Sequence, residues 1–154
     1  MVKNKLLILI AGILIILPVY LYSQTAADLE AVLETSAVSC AQATRFIVAS
    51  SGSAASVDTA SEESSYEWAR SNGWLDSAAA SDPITLDKLS FLIMKAFDMK
   101  AGMMYSLLPG PRYAYRSMVS RNFIQGAADP AMTVSGERFL LILGKVLSAE
   151  GEDL

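Results

Sequence analysis

The chain predicts an all-α fold: a small domain of stacked helix–loop–helix units behind an apolar N-terminal segment. Two observations carry that reading. One motif occurs three times, a β-branched residue, then a hydroxyl residue, then apolar residues at spacings of three and four. Ile84-Thr85 is followed by Leu89, Leu92, Ile93 and Ala96; Val134-Ser135 by Phe139, Ile142, Leu143 and Val146. Val38-Ser39 is followed more weakly by Ala43, Phe46, Ile47 and Ser50. Each copy reads as a helix N-cap with an apolar residue before it, feeding a helix with one buried face. The second observation is that the later copies agree well beyond the motif. Tyr66 to Leu75 lies over Tyr115 to Ile124, and Asp87, Lys88, Lys95 and Phe97 lie over Glu137, Arg138, Lys145 and Leu147. Self-similarity of this kind marks units that cannot bury their apolar faces alone and therefore stack.

The first element is not part of that stack. Lys3 and Lys5 precede an almost unbroken apolar run, Leu6 to Tyr22. A secretory signal has an apolar core of about 7–15 residues and a spanning helix needs about 20. Residues 1–23 therefore read as a signal peptide or as a membrane anchor through residues 6–22. Pro18 and the Ser23-Gln24 junction favour cleavage, with Ala26 as another site. In both cases the remainder is expected to be exported, to the periplasm or cell envelope.

Residues 24–50 form an N-terminal helical segment that contains the weak first repeat. A helical reading runs from Asp28 to about Ala49, with Leu29, Val32, Leu33 and Ala37 as its apolar stripe. Residues 51–65 are rich in Ser and Ala and too polar to bury a core, so they read as a linker. The repeat pair spans 66–147. In each unit a short helix ends where Gly73 or Asn122 can adopt the left-handed conformation. Trp74-Leu75 or Phe123-Ile124 then turns inward, and a polar loop leads to the capped helix. Between the units, Pro109-Gly110-Pro111 breaks any helix and sets the approach to Tyr113. Met99, Met103, Met104, Leu107 and Leu108 are expected to fill the space between repeats, because Met adapts to irregular gaps. Exposed, Met103, Met104, Tyr105, Leu107 and Leu108 would instead be a patch for a partner protein or a lipid surface. Residues 148–154 form an acidic tail, expected to fray.

Composition limits the chemistry. The chain has 154 residues, a net charge of −4 and no histidine. Without histidine the usual Ser-His-Asp and Cys-His arrangements are unbuildable and the commonest transition-metal ligand is missing. No catalytic activity, metal or cofactor is expected. Asp76 and Asp82, the nearest thing to a carboxylate pair, lie in a loop and read as turn and cap residues. Cys40 is the single cysteine and is expected to pack as a small hydrophobe. An acidic, exported protein is a poor partner for nucleic acid.

Charge points instead to a binding surface. Residues 24–65 carry one Arg against six acids, whereas residues 66–147 carry nine Lys or Arg against seven. Arg112, Arg116 and Arg121 cluster with Tyr113 and Tyr115. Arg presents a planar fork for carboxylates and Tyr a flat apolar face with a polar rim, a combination suited to an anionic sugar or an acidic surface. On a helix Arg112 and Arg116, four apart, share one face, with Tyr115 at its edge.

Helix, glycine turn, loop, and a second helix opening Ile-Thr resembles the S-layer homology (SLH) repeat. The resemblance covers Tyr66 to Leu147, and Val38 to Ala49 as a half-unit. Gly73 and Gly126 match the family's turn and loop glycines, Thr85 and Ser135 its helix-opening hydroxyl, and Asp87 and Glu137 the acidic position that follows. The resemblance implies three units in a pseudo-threefold, all-helical domain that holds a protein to a cell-wall polymer. It also implies an Arg directly after the hydroxyl, in contact with the glycan. Those slots hold Cys40, Leu86 and Gly136, so this is a degenerate copy without the motif arginine. The expected function is a non-catalytic envelope-binding module; the alternative is a periplasmic structural or adaptor protein acting through protein–protein contacts. A homo-oligomer is expected if the weak copy leaves the threefold incomplete.

Overall fold

The computed structural model of the protein describes residues 26–53, 57, 61–75, 78–100, 103–126 and 129–152. Residues 1–23, read as signal or anchor, lie outside the described residues, as do Asp76 and much of the Ser/Ala-rich stretch. The described residues are helical, with no strand among them and only two isolated β-bridges. No helix among them is long and apolar enough to cross a membrane.

The chain divides into two compact units after Glu34. In the first, residues 26–33 form helix α1, closed by a bond from the Glu34 amide to the Glu30 carbonyl (3.1 Å). The second unit contains α2 (Cys40–Ser50), α3 (Glu62–Ser71), α4 (Leu86–Ala96), α5 (Met103–Leu107), α6 (Pro111–Ser120) and α7 (Gly136–Glu152). Helix α3 packs on α2, and α6 packs on α4.

The three motif copies meet at the centre of the second unit. The Val38 amide donates to the Val134 carbonyl (2.8 Å), the Val134 amide to the Ile84 carbonyl (3.1 Å), and the Ile84 amide to the Val38 carbonyl (2.8 Å). This closed ring joins three residues that are each wholly buried. An extended backbone is needed to present N–H and C=O sideways in this way, and β-branched residues favour it. The next residues, Ser39 and Thr85, keep that extended conformation, with ψ at 159° in both, before the helices begin.

The ring also solves the problem of the helix starts. The first N–H groups of any helix lack an intrahelical acceptor. Here the amides of Cys40, Leu86 and Gly136 donate to the carbonyls of Asp82 (2.9 Å), Met132 (3.0 Å) and Thr35 (2.8 Å), each from the chain leading into another copy. The Ala41 and Asp87 amides bond likewise to Ala80 and Pro130, both at 3.0 Å. Ser39 Oγ then accepts from the Gln42 amide (3.1 Å) and Ser135 Oγ from the Arg138 amide (3.4 Å). Thr85 departs from the expected cap. Its hydroxyl donates to Asp87 Oδ1, which takes over the role and accepts from the Lys88 amide (2.8 Å).

The apolar stripes fill the space around the ring. Leu89, Leu92, Ile93, Phe139, Ile142, Leu143, Val146, Ala43 and Ile47 are all buried. Phe46 of α2 meets Phe139 of α7 edge-on at 6.2 Å. Helices α3 and α6 are both ten residues long and end alike, with Gly73 (φ 69°) and Asn122 (φ 62°) left-handed. The following amides, Trp74 and Phe123, bond back to Ala69 (2.9 Å) and Met118 (3.0 Å). Of the two inward pairs, Leu75 and Ile124 are buried while Trp74 and Phe123 are half-buried.

Four expectations need correction. A single helix from Asp28 to Ala49 does not form: it is broken at 34–39, where Val38 must extend to enter the ring, and Leu29 and Leu33 of the expected stripe are exposed. The linker reading of 51–65 fails at its end, where Ser61 Oγ caps α3 by accepting from Ser64 N (3.3 Å) and Ser65 is buried. Glu62 and Glu63 sit in the first turn of α3, where the helix dipole favours acids. The fraying expected from residue 148 does not begin there, because α7 continues to Glu152. The Met-rich segment is not a filler between repeats either. Ala114 and Met118 of α6 are buried where α6 packs directly on α4, so only Met99 is buried, while Met103, Met104, Leu107 and Leu108 are exposed.

Candidate functional site

Helix α6 builds the candidate site. Gly110 precedes it in an extended conformation and Pro111 occupies the first turn, where a missing N–H costs nothing. The Tyr113 and Ala114 amides then bond to the Gly110 carbonyl (3.2 and 3.0 Å). With Ala114 and Met118 facing inward, Arg112 and Arg116 fall on the exposed side, one turn apart.

These two arginines line a cleft of about 430 Å³ with Tyr115. The opposite wall comes from the α4 start, through Asp87, and from the loop before α7, through Asp129, Pro130 and Ala131. Asp129 is held as a turn residue, its Oδ1 accepting from the Ala131 amide (2.9 Å). The cleft therefore sets two guanidinium groups across from two carboxylates. Neither guanidinium makes an ion pair or hydrogen bond with a described residue, whereas other cations of the unit are engaged. Arg138 donates to the Gln125 carbonyl (3.5 Å), Lys145 to the Asn122 carbonyl (3.5 Å), and Arg70 pairs with Glu67 (3.7 Å).

The remaining candidates separate from this cleft. Tyr113 turns to a neighbouring cleft of about 360 Å³, lined with Met103, Met104, Tyr105, Ser117 and Ser120. Arg116 lines both clefts and is the only residue they share among the described residues. Arg121 lines neither: at the end of α6 its guanidinium donates to the Lys100 carbonyl. Tyr105 stacks edge-on against Phe91 of α4 at 6.3 Å, and its burial raises its pKa. Leu107 and Leu108 stand exposed beside this second cleft's helix without lining it.

The motif-arginine slots lie elsewhere. Cys40 and Leu86 are wholly buried, and Gly136 is buried with them, because their amides serve the ring. No side chain at those slots reaches solvent. Asp129 was not among the sequence candidates, and a lone Asp before Pro in a loop carries no signal beyond a turn. Asp87 could have been found from its match to Glu137. Of the loop carboxylates, Asp82 behaves as a turn residue, its Oδ2 accepting from the Ala79 amide (2.8 Å).

Comparison with family models, with curated proteins and with solved structures finds no match for this chain.

Proposed function

We propose that the chain is an exported, non-catalytic, SLH-like module that attaches to an anionic envelope polymer through the α6 cleft. The observation that carries this reading is that Arg112 and Arg116, neither of them bound to a described residue, lie on one helical face with Tyr115 at its edge. Their forks suit a carboxylate, the Tyr115 ring suits the face of a sugar, and Asp87 and Asp129 can accept hydrogen bonds from its hydroxyls. Mixed charge in the cleft favours an acidic sugar, with hydroxyls as well as a charge, over a bare polyanion. The ring of three motif copies supports the SLH-like reading, since the resemblance implies three units arranged about one centre. Loss of the motif arginine moves the proposed contact from the three slots to α6.

The test is co-sedimentation of residues 24–154 with purified peptidoglycan sacculi over a salt series. Salt-sensitive binding is expected, weakened about tenfold or more in Arg112→Ala/Arg116→Ala, the loss of two charge-assisted contacts. A folded wild type that stays in the supernatant at low salt would refute the wall ligand. A second reading, a periplasmic adaptor acting through protein contacts, is favoured by the exposure of Met103, Met104, Leu107 and Leu108. Crosslinking that recovers one specific protein, without retention on sacculi, would select it.

A further inference from the structure

The segment from Met99 to Ala128 contains four cations, Lys100, Arg112, Arg116 and Arg121, and no acid. The rest of the chain carries sixteen acids against eight cations. Within this one basic stretch lies the largest concentration of exposed apolar side chains among the described residues. Met103, Met104, Leu107 and Leu108 fall within six positions and are 77%, 52%, 68% and 59% exposed. Helix α5 buries none of its residues. It is fixed from behind by the Tyr105–Phe91 ring contact and followed at once by Pro109-Gly110-Pro111, so its apolar side chains project.

The cations are arranged around that projection. The Arg121 guanidinium donates to the Lys100 carbonyl, which sets one positive group against the backbone that precedes α5 in sequence. On the other side Arg116 lines the cleft with Met103 and Met104. Asp98 and Asp129 bound the segment in sequence, and Asp129 faces Arg112 and Arg116 across the other cleft. The charge offered beside α5 is that of Arg121 and the Met-facing side of Arg116, with Lys100 exposed three positions before the helix in sequence.

We propose that α5 and its cationic surround dock on an anionic lipid bilayer. The four apolar side chains would enter the boundary between headgroups and acyl chains, with the cations level with the lipid phosphates. The chain outside the described residues points to the same occupant. Leu6 to Tyr22 is apolar throughout, so the protein meets a membrane whether that segment is cleaved there or stays. This surface shares only Arg116 with the Arg112–Tyr115 cleft among the described residues, and its test leaves Arg116 unchanged, so it can fail or hold apart from the wall-polymer reading.

The full chain carrying Leu107→Cys is labelled with an environment-sensitive dye; Cys40 is buried and out of reach. It is reconstituted with vesicles of phosphatidylcholine alone or mixed with phosphatidylglycerol, so that the N-terminal segment is the same in both. The expected result is a blue shift, with quenching by acyl-chain quenchers, on the anionic vesicles only. Added salt and the charge reversal Lys100→Glu should both abolish it. A dye at Ser148→Cys, exposed on α7, should report water throughout. A dye at 107 that stays in water on anionic vesicles overturns the proposal and leaves the patch to a protein partner. An equal response on neutral vesicles, a response that survives Lys100→Glu, or an equal response at 148 overturns it as well.

Discussion

Tyr66 and Tyr115 occupy the same place in two aligned units and differ in burial. The Tyr66 ring is buried and its hydroxyl donates to the Ala78 carbonyl, closing the loop after α3 onto the helix. Tyr115 is half-buried and lines the candidate cleft. Burial raises the pKa of Tyr66 above its ordinary value of 10.0, against the opposing pull of Arg70. A raised pKa in the folded state means that the unfolded chain ionises first. The stabilisation is complete below pH 10 and is lost as pH rises through the folded value. Burial acts in the same direction on Tyr105. Tyr66→Phe should therefore cost about 1–2 kcal/mol at neutral pH, by leaving the Ala78 carbonyl without its donor. It should also make the alkaline fall in stability shallower. Urea midpoints at neutral pH and at about pH 11 test both parts; an unchanged alkaline slope would mean that Tyr66 ionises as freely folded as unfolded.

At the scale of the element, the three helix starts show one problem solved in two ways. Ser39 and Ser135 accept directly from the third amide of α2 and α7, whereas Thr85 works through Asp87 at the start of α4. Ser39→Ala should lower stability by about 1 kcal/mol, an ordinary N-cap loss. Thr85→Ala should cost less than Asp87→Ala, because Asp87 keeps its bond to the Lys88 amide without the hydroxyl. Thermal midpoints of the three variants decide the order, and a Thr85→Ala loss larger than that of Asp87→Ala would reverse the assignment. Helix α3 shows the opposite lesson. Its Ser- and Glu-rich start reads as linker by composition, yet Ser61, Glu62 and Glu63 are a cap and an acidic first turn. Composition averages over a window; a cap is a property of one position.

The whole second unit hangs on the ring of Val38, Ile84 and Val134. Its three bonds join residues 46, 50 and 96 positions apart in sequence, so the ring closes only when all three copies are in place. Amide exchange should therefore show the Val38, Ile84 and Val134 N–H groups sharing one opening free energy, equal to that of global unfolding. Faster exchange at Val38 alone would show that the weak first copy opens independently. The three positions after the hydroxyls are buried beside the ring, while Arg112 and Arg116 stand on the exposed face of α6.

How much of this was legible in the sequence follows from the range of the interactions involved. Local signals identified the helices of the repeat pair and the ends of α3 and α6, though not the break at 34–39 or the start of α3: apolar spacing in Leu89, Leu92 and Ile93, the left-handed ends at Gly73 and Asn122, and the one-turn spacing of Arg112 and Arg116 all depend on neighbours within a few residues. The first copy looked weak because Ser50 and half-buried Phe46 blur its stripe, although its backbone bonds match those of the other two. Backbone amides and carbonyls leave no trace in side-chain identity, so the ring itself could not be read from residue types. The split of Tyr113 from Tyr115, the diversion of Arg121 to Lys100 and the exposure of Met103 and Leu107 were likewise decided in three dimensions. Each depends on α6 packing directly on α4, a contact between segments some twenty residues apart. The sequence by itself determined which segments coil and which side chains share a helical face, because those are short-range properties of the chain. Only the tertiary structure decided which faces are covered, because burial depends on which segments, distant in sequence, come together.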